Sequence, residues 1–182
     1  MPQLHYKNLR QSMLRTFLFV FLIALTISVS AQSVADLDTK DGFRTYKFGM
    51  ARKAIPNLKY GGIHPATKLP YYNKTDEKLS IGPYPLQSIS YVFYKDRLHS
   101  VYLKVAASAD NCQGVYDTLT RLYGESVNDE ARWTHTWEGK KVFASFHKTI
   151  LETAYIEFIS LTMKKQIEAD LEAKKRNAVN DM

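Results

Sequence analysis

The sequence predicts an α+β fold, an antiparallel arrangement of about 6 to 8 strands packed by helices, and three segments carry that reading. Residues 87–94 and 98–105 alternate apolar with polar side chains on either side of Lys95-Asp96-Arg97, the pattern of a hairpin. With that loop, Ile89, Tyr91 and Phe93 share a face with Val101, Leu103 and Val105. A one-residue slip would put Ser100 and Lys104 there instead, so the apolar face fixes the register. Next, Cys112, Val115, Tyr116, Leu119, Leu122 and Tyr123 recur at the three- and four-residue spacing of one helical stripe. Ser108 or Asp110 can cap the start of that helix, and Gly124 suits the left-handed conformation that ends it. Finally, residues 132–137 and 141–147 form a second hairpin around Glu138-Gly139-Lys140, followed by a long last strand over 153–163.

The other elements are shorter. Residues 32–42 are small and polar, a flexible lead-in. Asp36, Asp38 and Asp41-Gly42 within it do not make a calcium loop, because Lys40 and Lys47 stand where ligands are required and the glycine is displaced by one. Residues 43–48 alternate as a strand, and residues 50–55 suit a short helix that Pro56 ends by removing a donor and crowding the preceding turn. Residues 59–68, with Gly61-Gly62 and Pro65, read as a loop. Residues 69–72 and 79–81 are short strands around a polar turn, and Pro83 and Pro85 put the next stretch at a sheet edge or outside a sheet. From Lys164 the chain is a charged helix with a thin stripe at Met163, Ile167 and Leu171, where Lys164/Glu168, Asp170/Lys174 and Glu172/Arg176 are spaced to pair. Leu58-Lys59-Tyr60-Gly61 and Leu122-Tyr123-Gly124 each close a helical segment ahead of a set of strands, so two helix-then-hairpin halves are expected within one domain, residues 43–163, with the charged helix and tail at 164–182.

The first 31 residues carry an address. Lys7, Arg10 and Arg15 precede an apolar run from Phe17 to Ile27, interrupted by Thr26, and Val29-Ser30-Ala31 offers the small residues that a signal peptidase reads. The run is short for a membrane anchor, which needs roughly 20 apolar residues. Met13 is an alternative start. Cleavage after Ala31 would lower the formal charge from +7 to +4, leaving 22 basic against 18 acidic residues, so the basicity of the whole chain is largely the leader's. A modest charge on an exported product argues against a nucleic-acid partner. The single cysteine, Cys112, excludes an internal disulfide framework and a cysteine-rich zinc site, and no cysteine near the cleavage site can take a lipid. The product is expected to be soluble in the periplasm or outside the cell, without a stable membrane anchor.

Phe48-Gly49-Met50 ahead of a short helix containing Ile55, and Leu122-Tyr123-Gly124 leading into a tryptophan-bearing hairpin, resemble a broad class of small exported bacterial domains of uncharacterised function. More distantly the pattern is similar to the small lipoprotein of the outer-membrane β-barrel assembly machinery, over residues 43–163, although the acylated cysteine of that lipoprotein has no counterpart here. The resemblance implies the two-half fold and a role in the envelope, and no site residues.

Chemistry-bearing residues are few. Cys112 stands in the first turn of its helix, where a thiol can be activated, but also on the apolar stripe, where it packs as a small hydrophobe. His64, His99, His135 and His147 include no pair at i, i+4 and no HExxH, so no metal site is expected; His99 is assigned to the apolar face of its hairpin. No serine elbow, phosphate loop or cofactor motif occurs. Asp76-Glu77 and Asp129-Glu130 read as solvated turn charges. The surplus is aromatic: 11 Tyr, 6 Phe and 2 Trp lie beyond the leader. Trp133 and Trp137, on one strand face with His135, are the candidates for stacking on a sugar ring or gripping a peptide, with at least one of them expected to pack on the amphipathic helix. The functional expectation is a non-enzymatic exported domain that binds a protein or polymer of the cell envelope. The alternatives are a small hydrolase with its site near His64, His99 and Cys112, and a secreted enzyme inhibitor.

Mass spectrometry of the exported protein should find a chain beginning at Gln32; an intact amino terminus held in the membrane fraction would refute the leader reading.

Overall fold

The computed structural model describes residues 33–180, with side chains through 178; the leader and its cleavage site lie outside the described residues. The elements are α1 (Val34–Lys40), β1 (Gly42–Phe43), β2 (Tyr46–Lys47), a 3-10 turn (Arg52–Ala54), β3 (Leu58–Ile63), β4 (Pro70–Lys74), β5 (Ser80–Ile81), β6 (Tyr84–Tyr94), β7 (Arg97–Val105), α2 (Ala109–Tyr123), β8 (Val127–Asp129), a second 3-10 turn (Glu130–Arg132), β9 (Thr134–Glu138), β10 (Val142–Lys148), β11 (Ala154–Ser160) and α3 (Leu161–Asn180). The fold is α+β. Strands β3-β4-β6-β7-β11-β10-β9-β8 form one open sheet, with β5 attached to β6, and β1-β2 form a separate ribbon. All pairings are antiparallel. Two halves are visible as two four-strand meanders, β3-β4-β6-β7 and β8-β9-β10-β11, joined where β7 pairs with β11, but only the second follows an α-helix; residues 58–61, expected to close a helix, belong to β3.

One face of the sheet makes the core. Ile89, Tyr91, Val101, Leu103, Ile156, Phe158, Ala144 and Trp137 are buried there together. Helix α2 covers them with Cys112, Val115, Leu119 and Tyr123, while Leu122, expected on its stripe, is exposed. Ser108 caps α2 by accepting from Asn111 N, and Gly124 ends it at φ 82. At Gly114 a Cβ would run into the Tyr84 ring, so the bare backbone lets α2 approach β6. The other face carries Val92, Ser100, Tyr102, Glu157 and Ile159, and α3 lies across it, with Met163 buried and Tyr94 and Lys95 both bonded to Asp170 at 2.7 Å.

Several local expectations are corrected. The lead-in is helix α1, because Ser33 and Asp36 form a reciprocal capping box and Leu37 is fully buried. The expected strand at 43–48 folds into the tight β1-β2 ribbon, since Arg44 is left-handed (φ 56). Residues 50–55 make a single 3-10 turn rather than an α-helix, with Met50 N–H and C=O taken by Lys47 and Leu98 outside it. The stretch expected as a loop is the edge strand β3, which accommodates Gly61 by a bulge between Tyr60 and Gly62. The first hairpin closes with a two-residue turn, Lys95 and Asp96 at φ 47 and 59, because Arg97 pairs with Tyr94. The last strand ends at Ser160, whose hydroxyl accepts from Met163 N and so starts α3 three residues early. The expected pairs along α3 are not formed: Asp170 turns to Lys95, and Glu172 pairs with Lys175.

Asp38 ties the amino terminus to the second half. Its carboxylate accepts from Lys140 N, Lys141 N and Val142 N at 2.6, 2.8 and 3.0 Å, and Gly139 is bare where a Cβ would strike that carboxylate. Partial burial opposes the charge, but the three backbone donors outweigh it and hold the carboxyl below its ordinary range. Asp38→Ala should therefore cost about 1–2 kcal/mol at neutral pH in a denaturant titration. A carboxyl whose folded pKa is depressed contributes above its unfolded value, about 3.9, and loses that contribution as pH falls through the folded value. The gap between wild type and variant should accordingly shrink below about pH 4.

Candidate functional site

Asp129 begins the site by capping the 3-10 turn Glu130–Arg132, its Oδ1 accepting from Arg132 N at 3.3 Å and its Oδ2 paired with Arg132 at 3.2 Å. The turn ends on Trp133, held left-handed at φ 51 and ψ 42. Its N–H donates to Glu130 O and its carbonyl accepts from Lys148 N, so the strained residue is fixed from both sides. For a bulky side chain this conformation costs roughly 1–2 kcal/mol, and such strain concentrates at sites that use it. The alternation expected through 133, 135 and 137 is therefore broken at its first member: Trp133 precedes β9 and is 51% exposed, while Trp137 is 1% exposed. Trp137 lies between Tyr116 and Tyr123 of α2, and its Nε1 donates to Gly124 O at 2.8 Å. That placement removes Trp137 from the candidates for stacking and leaves Trp133.

Trp133 stands at the mouth of a cavity of about 360 Å³ between α2 and the β8-β9-β10 end of the sheet. Tyr116, His135 and Phe146 make its aromatic wall, with the Tyr116 ring centre 4.3 Å from that of His135 and 5.6 Å from that of Phe146. Ser126 Oγ holds the wall by bonding both His135 Nδ1 and the Tyr116 hydroxyl, at 3.1 and 3.3 Å. Burial lowers the His135 pKa, which favours the neutral ring. Gln113, Asn128, Glu130 and Lys148 supply a polar rim. Cys112 lies at the back, fully buried, its Sγ 3.1 Å from Glu152 O and its pKa raised by burial, so the helix start does not activate it.

A second cavity, about 340 Å³, lies on the other face under α3, where His99, Tyr102, Glu157 and Lys164 converge. His99 is not on the core face as expected. The register steps from Val92↔Ser100 to Phe93↔Leu98, inserting His99 as a bulge that turns it toward Tyr102 and α3. His64 packs on the Tyr102 ring at 3.9 Å between centres. The fold thus brings His64 and His99 to one region and puts Cys112 on the opposite face, so the three do not assemble a nucleophilic site. His147 bonds Thr134 Oγ1 at 3.1 Å near the sheet end. No group of three or more His, Cys, Asp or Glu side chains among the described residues is placed to hold a metal.

Glu77, expected as a solvated charge, instead turns its side chain inward: it pairs with Arg44 and accepts from the Tyr91 hydroxyl at 2.5 Å, while Asp76 stays exposed. Sequence reasoning missed Tyr116 and Phe146 as cleft residues, though both lay on apolar stripes, and it missed Tyr102 and Glu157 altogether. These two are polar positions on alternating strands and read as solvent-facing until a helix covers them. No helix among the described residues is long and apolar enough to cross a membrane. Comparison with known proteins finds no matching family model, curated sequence or solved structure.

The two tryptophans should separate in equilibrium unfolding. Trp137→Ala should cost about 3–5 kcal/mol, as a buried aromatic does, whereas Trp133→Ala should move stability by no more than about 0.5 kcal/mol. Equal losses would mean that Trp133 is a core residue and that the cleft mouth is wrongly placed.

Proposed function

We propose that this chain is an exported, non-enzymatic binding domain of the bacterial cell envelope, and that its ligand is an envelope polymer held by stacking on Trp133. The observation that carries the reading is Trp133 itself, locked outside the strand in a strained conformation and half exposed above an aromatic-walled cleft. A flat indole with planar amide and carboxyl groups around it, here Gln113, Asn128 and Glu130, suits a ring with one apolar face and hydroxyls at its edge, so a glycan strand is the favoured polymer. The buried, deprotonation-resistant thiol at the back of this cleft favours binding over thiol catalysis there. The export half of the proposal rests on the leader sequence, and the envelope role agrees with the resemblance to small exported domains.

Titrating the mature protein with soluble envelope glycan fragments should change tryptophan emission. The change should vanish in Trp133→Ala while the circular dichroism spectrum stays that of the wild type. An unaltered response in Trp133→Ala would refute the stacking role. A response to unstructured peptides with none to glycans would replace the glycan by a protein segment.

A further inference from the structure

The cavity under α3 has a different chemistry from the cleft and is independent of it. Its floor is the β7-β11 ladder, where Tyr102 stands opposite Glu157, with Ile159 and His99 beside them. Its roof is Lys164, Ile167 and Glu168 of α3, and the segment from Ala66 to Leu69 closes one side. At about 340 Å³ it falls at the lower end of the roughly 300–1,000 Å³ typical of small-molecule sites. Glu157 is the unusual group. It is half-buried, and no ion pair among the described residues reaches it.

The neighbours do not supply a buried counter-charge. Burial, with the nearby Lys164 acting in the same direction, lowers His99 to about 4, so this ring is neutral at physiological pH, its Nδ1 within 2.9 Å of Ser100 Oγ. Burial likewise lowers His64, whose Nδ1 has no hydrogen-bond partner among the described residues. Lys104, two positions along β7, stands over the Tyr155 ring, 5.7 Å from its centre. Lys164, on the exposed rim, is the lining cation, and together with the Tyr102 hydroxyl it only partly offsets the burial that raises the Glu157 pKa. A carboxyl facing a space walled by Leu69, Ile159 and Ile167, its charged form disfavoured by burial, is a place where a ligand cation would stabilise that charged form.

We infer that this cavity binds a small amphipathic amine, its ammonium group donating to Glu157 beside the Tyr102 hydroxyl and its apolar body lying against Leu69, Ile159 and Ile167. The size admits a single-ring or short-chain amine, and the one negative group on the floor selects ammonium over hydroxyl or carboxylate ligands. Lys164 competes for Glu157 from the rim, so its removal should strengthen binding rather than weaken it.

Calorimetric titration of the mature protein with phenethylamine, phenethyl alcohol and 3-phenylpropionate tests the assignment. Phenethylamine should bind at least about tenfold more tightly than either analogue, and Glu157→Gln should abolish that preference. Lys164→Ala, at an exposed position where folding is not at risk, should tighten phenethylamine binding by about two- to fivefold. Equal affinity for the amine and the alcohol, an unchanged preference in a folded Glu157→Gln, or weaker amine binding in Lys164→Ala would each overturn the inference.

Discussion

The antiparallel pairing of β7 with β11 is the joint on which the molecule depends. Each half brings a four-strand meander with one apolar face, and only side-by-side pairing turns the two faces into a continuous floor for α2. Because side chains alternate with a period of two, the register that sets Val101 against Phe158 and Leu103 against Ile156 in the core also sets Tyr102 against Glu157 on the other face. The core and the polar floor under α3 are thus two sides of one ladder. A one-residue slip that spoiled the polar pair would turn either Lys104 or Glu157 onto the core face, and burying a charge without a partner costs several kcal/mol.

Around that joint, charged groups act as fasteners between segments distant in sequence. Asp38 binds the turn between β9 and β10. Arg44, from the β1-β2 turn, pairs with Glu77 and donates to Ser80 O at 3.0 Å, and Tyr91 closes the same network from the core strand β6. Burial raises the Tyr91 pKa, with nearby acidic and phenolic groups adding to it against the pull of Arg44, so the phenol stays a donor to Glu77. Both fasteners satisfy every charge they bury, which is the condition under which buried ionic groups support a fold rather than weaken it.

The two cavities arise from different devices. The cleft exists because a left-handed residue interrupts β9 at its start and lifts an indole out of the ladder. The space under α3 exists because a bulge at His99 and a polar cross-strand pair leave the sheet unable to pack flush against a helix that presents few apolar side chains, Met163 and Ile167 among them. One is walled by aromatic rings and the other sets Glu157 among apolar side chains beneath α3, so their ligands would differ in kind.

The sequence by itself determined what local patterning can encode. The alternation at 87–105 set the hairpin face, the stripe from Cys112 to Tyr123 with Ser108 and Gly124 at its ends set α2, and the mixture of strand and helix patterns set the α+β class, although the helix expected to close on residues 58–61 is a 3-10 turn followed by strand β3. The tertiary structure alone decided which of two tryptophans is buried, because the left-handed turn at Trp133 is imposed by Asp129 and Lys148 and not by any propensity of tryptophan. It also decided the fate of Glu77, Glu157 and Asp38, three acids whose surroundings no local pattern sets apart. Each is defined by partners tens of residues away, Arg44 and Tyr91, Tyr102, and the Gly139 turn, and side-chain period carries no information about what will cover a polar face.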